Sequence, residues 1–571
     1  MPNQPLSKHF PTGNRLMLLM LSLYPSGLPA VENLQAGQSV LPLQQQQQRD
    51  FQRLQQEQRM QQLQREQSAV QAPKTDSPAR GLAEHGCWTL SGLRLSGVTL
   101  FDAARLREHL APLITACMGV NRINHLLVEL TRLYLDDGYI ASRAYLVKPA
   151  AHGQPLEVHV DEGYLEAIEL ADQSLPVWLA GAFPGMLGKP LELRHLEQGL
   201  DQLNRLRSLD LIADITPGSR PGASRVILRS QASSPAWAAA LGLDTLGAAA
   251  SGRDRSTLSL SLDSPLQLND SVSFSFSDTL NDGPRYSRSF SLLYALPYGY
   301  WTHSLFASHV EYRVPLKLSR TTLYSSGRAD QFGLRSDRVL WRKQDVLLSV
   351  YGQLAYKNVD NYLAKTRLAI QSPTLAVAES GLSLFWLDSG VWSLDLNYGR
   401  GLHGLGADDD SDRLSRHLPK AQFKRYRASV GRWRNGLYQG QPWQWQSQFS
   451  LQYSPDPLPV IEQLLVTDDS AVRGFRRNSA SGATAALWRN TLRLPLNSGL
   501  PVRLTPYLGI DAGWVKGLQG TPDARMSAAS AGLNLAWKHV QLDLDYQHSL
   551  SRPTQFAPES QIWLARLSLL M

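Results

Sequence analysis

The chain has 571 residues, 43% of them hydrophobic, yet beyond the N-terminus it holds no run of about 18 or more apolar residues, which excludes a bundle of membrane-spanning helices. The formal net charge is +8, but Lys, Arg, Asp and Glu are interspersed rather than gathered into a basic stripe, so no nucleic-acid partner is expected. The only two cysteines, Cys87 and Cys117, are too few for a four-cysteine zinc site.

At the N-terminus Lys8 and Arg15 precede the short apolar run Leu16 to Tyr24, and small residues and prolines follow as far as Ala30. A charged start, a short apolar stretch and a processing zone predict a secretory signal over residues 1–30, although Leu28 stands where a small residue is preferred. Export places Cys87 and Cys117 in an oxidising compartment, where they are expected to pair. Residues 31–82 contain a Gln-rich stretch, 44–67, polar nearly all round if helical and equally readable as a low-complexity tether. A linker containing Pro73 and Pro78 follows.

Two small mixed units come next, at 83–161 and 162–233. The first predicts a strand near Trp88, a helix from Asp102, a helix with Leu126, Leu127, Leu130, Leu133 and Tyr134 on one face, and strands at 144–147 and 156–160. The second repeats that order with strands at 165–170, 211–216 and 225–229, a helical segment at 177–182 and a helix carrying Leu196, Leu200, Leu203 and Leu206. The same order recurring after about 75 residues predicts tandem domains.

From about 234 to 571 helical periodicity gives way to alternation. Leu258, Leu260 and Leu262 alternate with Thr and Ser; Trp443, Trp445, Phe449, Leu451 and Tyr453 alternate with residues that are nearly all Gln. One face for lipid and one for water predicts a closed transmembrane β-barrel of about 16 antiparallel strands, because lipid tolerates no open sheet edge. Within it, Val472-Arg473-Gly474-Phe475 lies in a long polar loop. Leu508 and Ile510 share one parity while Gly509, Asp511 and Gly513 share the other, which turns Asp511 toward the lumen.

The pair of units, the barrel and its VRGF loop together resemble the TpsB transporters of two-partner secretion, relatives of haemolysin, filamentous-haemagglutinin and contact-dependent-inhibition exporters. Gly138-Tyr-Ile-Ala-Ser-Arg143-Ala-Tyr145-Leu is similar to the first POTRA domain of that family, and Leu196 to Asn204 with Pro217-Gly218 and Pro221-Gly222 to the second. Leu296-Pro-Tyr-Gly-Tyr-Trp301 and Gly509-Ile-Asp511-Ala-Gly513 match two barrel motifs. The resemblance implies an outer-membrane location in a Gram-negative bacterium, with POTRA domains in the periplasm. The implied partners are a large secreted TpsA-type protein, outer-membrane lipid and, during biogenesis, the barrel-assembly machinery, with the transporter itself monomeric. It further implies that Arg473 locks the loop to Asp511 and that residues 44–67 form a plug helix.

Two departures stand out: Thr467-Asp468 replaces the usual Gly pair, which bears on the loop's flexibility, and the chain ends in Met571 rather than an aromatic residue, which predicts a weaker assembly signal. The alternative function is a BamA-like insertase, disfavoured by two POTRA-like units where five are usual. No nucleophile elbow, phosphate loop or HExxH motif is present, so no catalytic residue and no cofactor are expected. Asp408, Asp410 and Asp412 have calcium-loop spacing, but Arg413 and Pro419 occupy positions that an EF-hand needs for Gly and Glu, which predicts a solvated loop and no metal.

Overall fold

The structure, a computed structural model, describes residues 86–571 apart from 233, 281–282, 319, 344, 411–417, 497–498, 500, 518–521 and 560. The expected signal, Gln-rich segment and linker lie outside the described residues.

In the first unit the central strand Pro155–Asp161 pairs in parallel with Gly92–Ser96 and antiparallel with Arg143–Leu146. Helix Ala103–Leu110 starts where the Asp102 carboxylate accepts the Ala104 N–H at 3.0 Å, satisfying a donor that the first helical turn leaves free. Helix Val120–Asp136 buries Ile123, Leu126, Leu130 and Tyr134, spaced to share one face, against Leu156, Val158 and Val160 of the sheet. Cys87 and Cys117 are bonded to each other with their Cα atoms 5.3 Å apart. Cys117 lies beyond the first helix, in a segment that bridges Met118 to Trp88.

The second unit has the same sheet order, with Ala223–Ser230 flanked by Tyr164–Leu170 and Leu211–Pro217. Helix Leu193–Asn204 buries Leu196, Leu200 and Leu203 against it, and the short helix Leu179–Ala182 occupies the predicted position. Where the units meet, Glu162 accepts hydrogen bonds from the Thr99 and Leu100 N–H groups at 2.8 and 2.9 Å and from the Tyr134 hydroxyl at 2.8 Å. Burial pushes its carboxyl up, but these donors outweigh that effect and hold it below its ordinary value. The Tyr134 hydroxyl is raised, by burial first and then by the same carboxylate.

Sixteen strands from Trp237–Asp244 to Ile562–Leu570 then form a closed antiparallel barrel, with a two-residue pairing at Thr366–Arg367 extending one hairpin. The last strand closes on the first in register from Arg566 opposite Asp244 to Leu570 opposite Ala240, and Met571 continues the pairing through two backbone bonds with Ala239. Leu260, Leu262, Phe332, Leu334, Leu508 and Ile510 face outward, while Gln331, Lys357, Gln452 and Asp511 are buried on the inner face. The alternation in the sequence therefore sorts one face to lipid and one to the lumen.

The second unit docks on the short-turn end of this barrel. The Gly299 carbonyl accepts from the Gln198 and Gln202 side-chain amides at 3.2 and 3.1 Å, and the Gly299 N–H donates to the Gly181 carbonyl at 2.8 Å. A Cβ at Gly299 would lie 2.7 Å from Pro184 Cγ, and its φ of +54° further favours glycine. Asn269 exchanges two 2.8 Å bonds with the Trp178 backbone, and buried Arg342 pairs with Asp201 and Glu197. The Pro-Tyr-Gly-Tyr-Trp motif is thus the turn on which the periplasmic unit sits.

The covalent tie generates a prediction. Replacing Cys87 and Cys117 together by Ser is expected to destabilise the first unit by about 3–4 kcal/mol, the cost of freeing a loop of this length in the unfolded chain. Urea unfolding of the isolated periplasmic pair, followed by circular dichroism with and without reductant, measures it.

Candidate functional site

The loop 454–484, between strands Gln441–Tyr453 and Ala485–Arg493, folds into the barrel rather than away from it. Leu464–Leu465 pairs with Ser481–Gly482 to make a stem, extended by Val466 N–H to the Ala480 carbonyl at 2.8 Å. Thr467, in place of the expected flexible glycine, is buried, and its hydroxyl accepts the Ala480 N–H at 2.7 Å. The residue that departs from the family pattern therefore braces the stem.

At the tip the guanidinium of Arg473 meets Asp511 through two parallel bonds, Nε to Oδ2 at 2.6 Å and Nη2 to Oδ1 at 2.8 Å. The Arg473 backbone N–H adds a third bond at 3.2 Å, and Nη2 also donates to the Asn490 carbonyl at 2.8 Å. Both residues are only 2% exposed. A planar guanidinium is suited to this two-point geometry, which an ammonium group cannot reproduce. Gly509 keeps the wall open at this point, since a Cβ there would overlap the guanidinium. Gly513 makes room for the side chains of Val466 and Val472, so both glycines admit side chains of the loop rather than its backbone.

The flanking motif residues complete the seat. Val472 is fully buried among Val466, Val515, Ala524 and Met526. Gly474 takes φ +84°, donates its N–H to Gln547 Oε1 at 2.9 Å, and approaches the wall so closely that a Cβ would stand 3.0 Å from the His548 backbone. Phe475 sets its ring edge-on to Phe556 at 5.9 Å. Just beyond, the Glu559 carboxylate accepts the N–H groups of Arg476, Arg477 and Asn478 at 2.7–3.0 Å.

A second attachment has no counterpart in the expectations above. Glu462, at the base of the loop, is fully buried and pairs with Lys357 at 2.6 Å and with Arg425. Arg425 also pairs with Glu379 at 2.6 Å, and the Glu462 carbonyl accepts from Arg427 and Gln452, each at 3.1 Å. The acidic loop over 408–412 is only partly described: Asp410 accepts the N–H groups of Ala421 and Gln422, and Asp408 accepts that of Thr374, so these two carboxylates brace the loop. Asp412 lies outside the described residues.

A closed sixteen-stranded barrel, two tandem α+β domains of which the second sits on its short turns, and a loop seated in its lumen define an outer-membrane transporter with POTRA domains. Three family descriptions match: a ShlB-type POTRA domain over 88–163, a POTRA domain over 164–217, and haemolysin secretion/activation protein ShlB/FhaC/HecB over 222–535. The chain is 39% identical over 486 residues to the haemolysin transporter protein ShlB of Serratia marcescens, covering 84% of this chain and 86% of that one. It is 30% identical over 531 residues to the outer membrane transporter CdiB of Escherichia coli, covering 90% and 87% respectively. The solved structure of CdiB from Escherichia coli superposes with a TM-score of 0.84 at 28% identity, covering 95% of this chain and all of the other. The chain belongs to the ShlB/FhaC/HecB haemolysin secretion/activation family, and it is an outer-membrane secretion transporter whose POTRA domains face the periplasm.

The crowding at Gly509 is testable without any client. Gly509→Ala is expected to lower the temperature at which the folded barrel loses its heat-modifiable mobility on gels, and to do so far less when Arg473→Ala is already present. Equal shifts in both backgrounds would separate Gly509 from the guanidinium.

Proposed function

We propose that this transporter takes one large secreted partner of the TpsA type, unfolded, from the periplasm and passes it through the barrel once the loop 454–484 has given way. The observation that carries this reading is the buried two-point pair between Arg473 and Asp511, which holds a loop inside the barrel lumen. The relatives named as haemolysin transporters support a haemolysin as the client, and the family resemblance adds an adhesin or a contact-dependent-inhibition toxin as the other client classes.

The client's first contact is with the POTRA domains. Strand Arg143–Leu146 bonds to Pro155–Asp161 on one side, and among the described residues no strand covers its other edge. Tyr145 and Val147 are exposed beside it. An extended client adding a strand there gains main-chain hydrogen bonds without a fixed sequence. Transport needs no bond-making chemistry and no nucleotide: a segment that folds outside cannot return, so folding biases diffusion outward. The transporter works as a monomer in outer-membrane lipid, having been inserted by the barrel-assembly machinery.

Breaking a buried ion pair by removing one partner costs about 3–5 kcal/mol, enough to unseat the loop. Arg473→Ala and Asp511→Ala are each expected to cut client secretion at least about tenfold while the barrel reaches the membrane at normal levels, and Arg473→Lys is expected to restore only part of it. Immunoblots of client in the medium and of heat-modifiable barrel in the outer membrane measure both quantities. Normal secretion by both alanine variants would overturn the lock.

A further inference from the structure

The lumen wall three to six strands from Asp511 holds a charge cluster that the lock does not use. Lys357, on strand Val346–Leu363, and Arg425 and Arg427, on strand Lys424–Tyr438, point into the barrel, with Glu379 of strand Thr374–Leu387 between them. Lys357 is 1% exposed and Arg425 fully buried. What covers them is the loop's own Glu462, whose two carboxylate oxygens are divided between Lys357 Nζ, at 2.6 Å, and the Arg425 guanidinium. Gln452 and Arg427 hold the Glu462 carbonyl at 3.1 Å, and Leu458 and Ile461 pack beside it on Val359, Leu375, Val377 and Phe423. This leg of the loop thus has its own apolar seat and its own ion pairs, to Arg425 three strands and to Lys357 six strands around the barrel from Asp511.

We propose that Lys357, Arg425 and Arg427 form a carboxylate-binding site on the lumen wall, filled at rest by Glu462 and vacated when the loop leaves. In the open channel Glu379, among the described residues, is left to balance three cations, and acidic side chains of a passing polypeptide take the place that Glu462 gave up. Exchange of one carboxylate for another keeps the cations paired throughout, so the loop leaves without stranding buried charges. The site rests on the secretion reading for its biological ligand, but its chemistry does not depend on it.

The test uses the purified full-length transporter in planar bilayers without a client. Glu462→Gln, which keeps the shape and removes the charge, is expected to raise the open fraction at least about tenfold, since losing one charge of a buried pair shifts an equilibrium by more than a power of ten. Its reversal potential in a KCl gradient is expected to move toward chloride, and polyglutamate added on the POTRA side is expected to block its current at about tenfold lower concentration than the wild type needs, with polylysine inert. Adding Lys357→Met to Glu462→Gln is expected to abolish most of that sensitivity. If Glu462→Gln fails to assemble, Glu462→Asp carries the same comparison with a smaller rise. A folded Glu462→Gln channel with wild-type open fraction, selectivity and polyglutamate response would overturn the site while leaving the secretion reading intact. A wild-type transporter that released no TpsA-type client while its Glu462→Gln channel showed the expected polyglutamate response would do the reverse.

Discussion

The arrangement depends on one charge pair kept out of water. Removing a guanidinium and a carboxylate from solvent is costly, and the cost is recovered only where the geometry is good and the remaining donors are satisfied. Around Arg473 the geometry is good: two parallel bonds and a backbone N–H reach Asp511, and the Asn490 carbonyl takes a further donor. The pair is therefore stable when whole and expensive when halved. That asymmetry suits a loop that must be firmly seated yet removable as a unit.

The barrel makes such a pair possible. Lipid forces every strand edge to be paired, and closure of the last strand on the first leaves an interior shielded from the membrane, with alternate side chains delivered to it. The loop fills that interior with two apolar seats, one around Val472 and Phe475 and one around Leu458 and Ile461, each beside its own buried ion pair. At the periplasmic end the Gly299 turn connects the same wall to the second POTRA domain through the buried amides of Gln198 and Gln202. The barrel's periplasmic mouth is thus braced by the second POTRA domain.

Strand alternation is a local property, so the lumen-facing parity of Asp511 and the outward parity of Leu508 and Ile510 were legible from thirteen consecutive residues, Arg503–Val515. The tandem α+β order was legible for the same reason, from leucines at helical spacing. Glu462 was not, because its partners Arg425 and Lys357 stand 37 and 105 residues away and meet it only once the barrel closes. The role of Gly513 was not legible for a related reason: a glycine on a lumen face announces a close approach, but whether backbone or a valine side chain approaches is decided by the incoming loop. The turn motif around Gly299 was recognisable as a pattern, while its function needed the docked domain to be seen.

The central claim is that the Arg473–Asp511 pair keeps the loop tip inside the lumen. Ser479, 5% exposed beside the tip, is a reporter position, and the native cysteines, being bonded to each other, do not compete. In a Ser479→Cys background, the rate of labelling by a membrane-impermeant maleimide on intact cells reads the seating of the tip directly. The account predicts slow labelling with the pair intact and labelling faster by at least about a hundredfold when Asp511→Asn removes the charge, the ratio that a buried pair of this kind implies. Equal rates in the two backgrounds, at equal barrel levels, would contradict it.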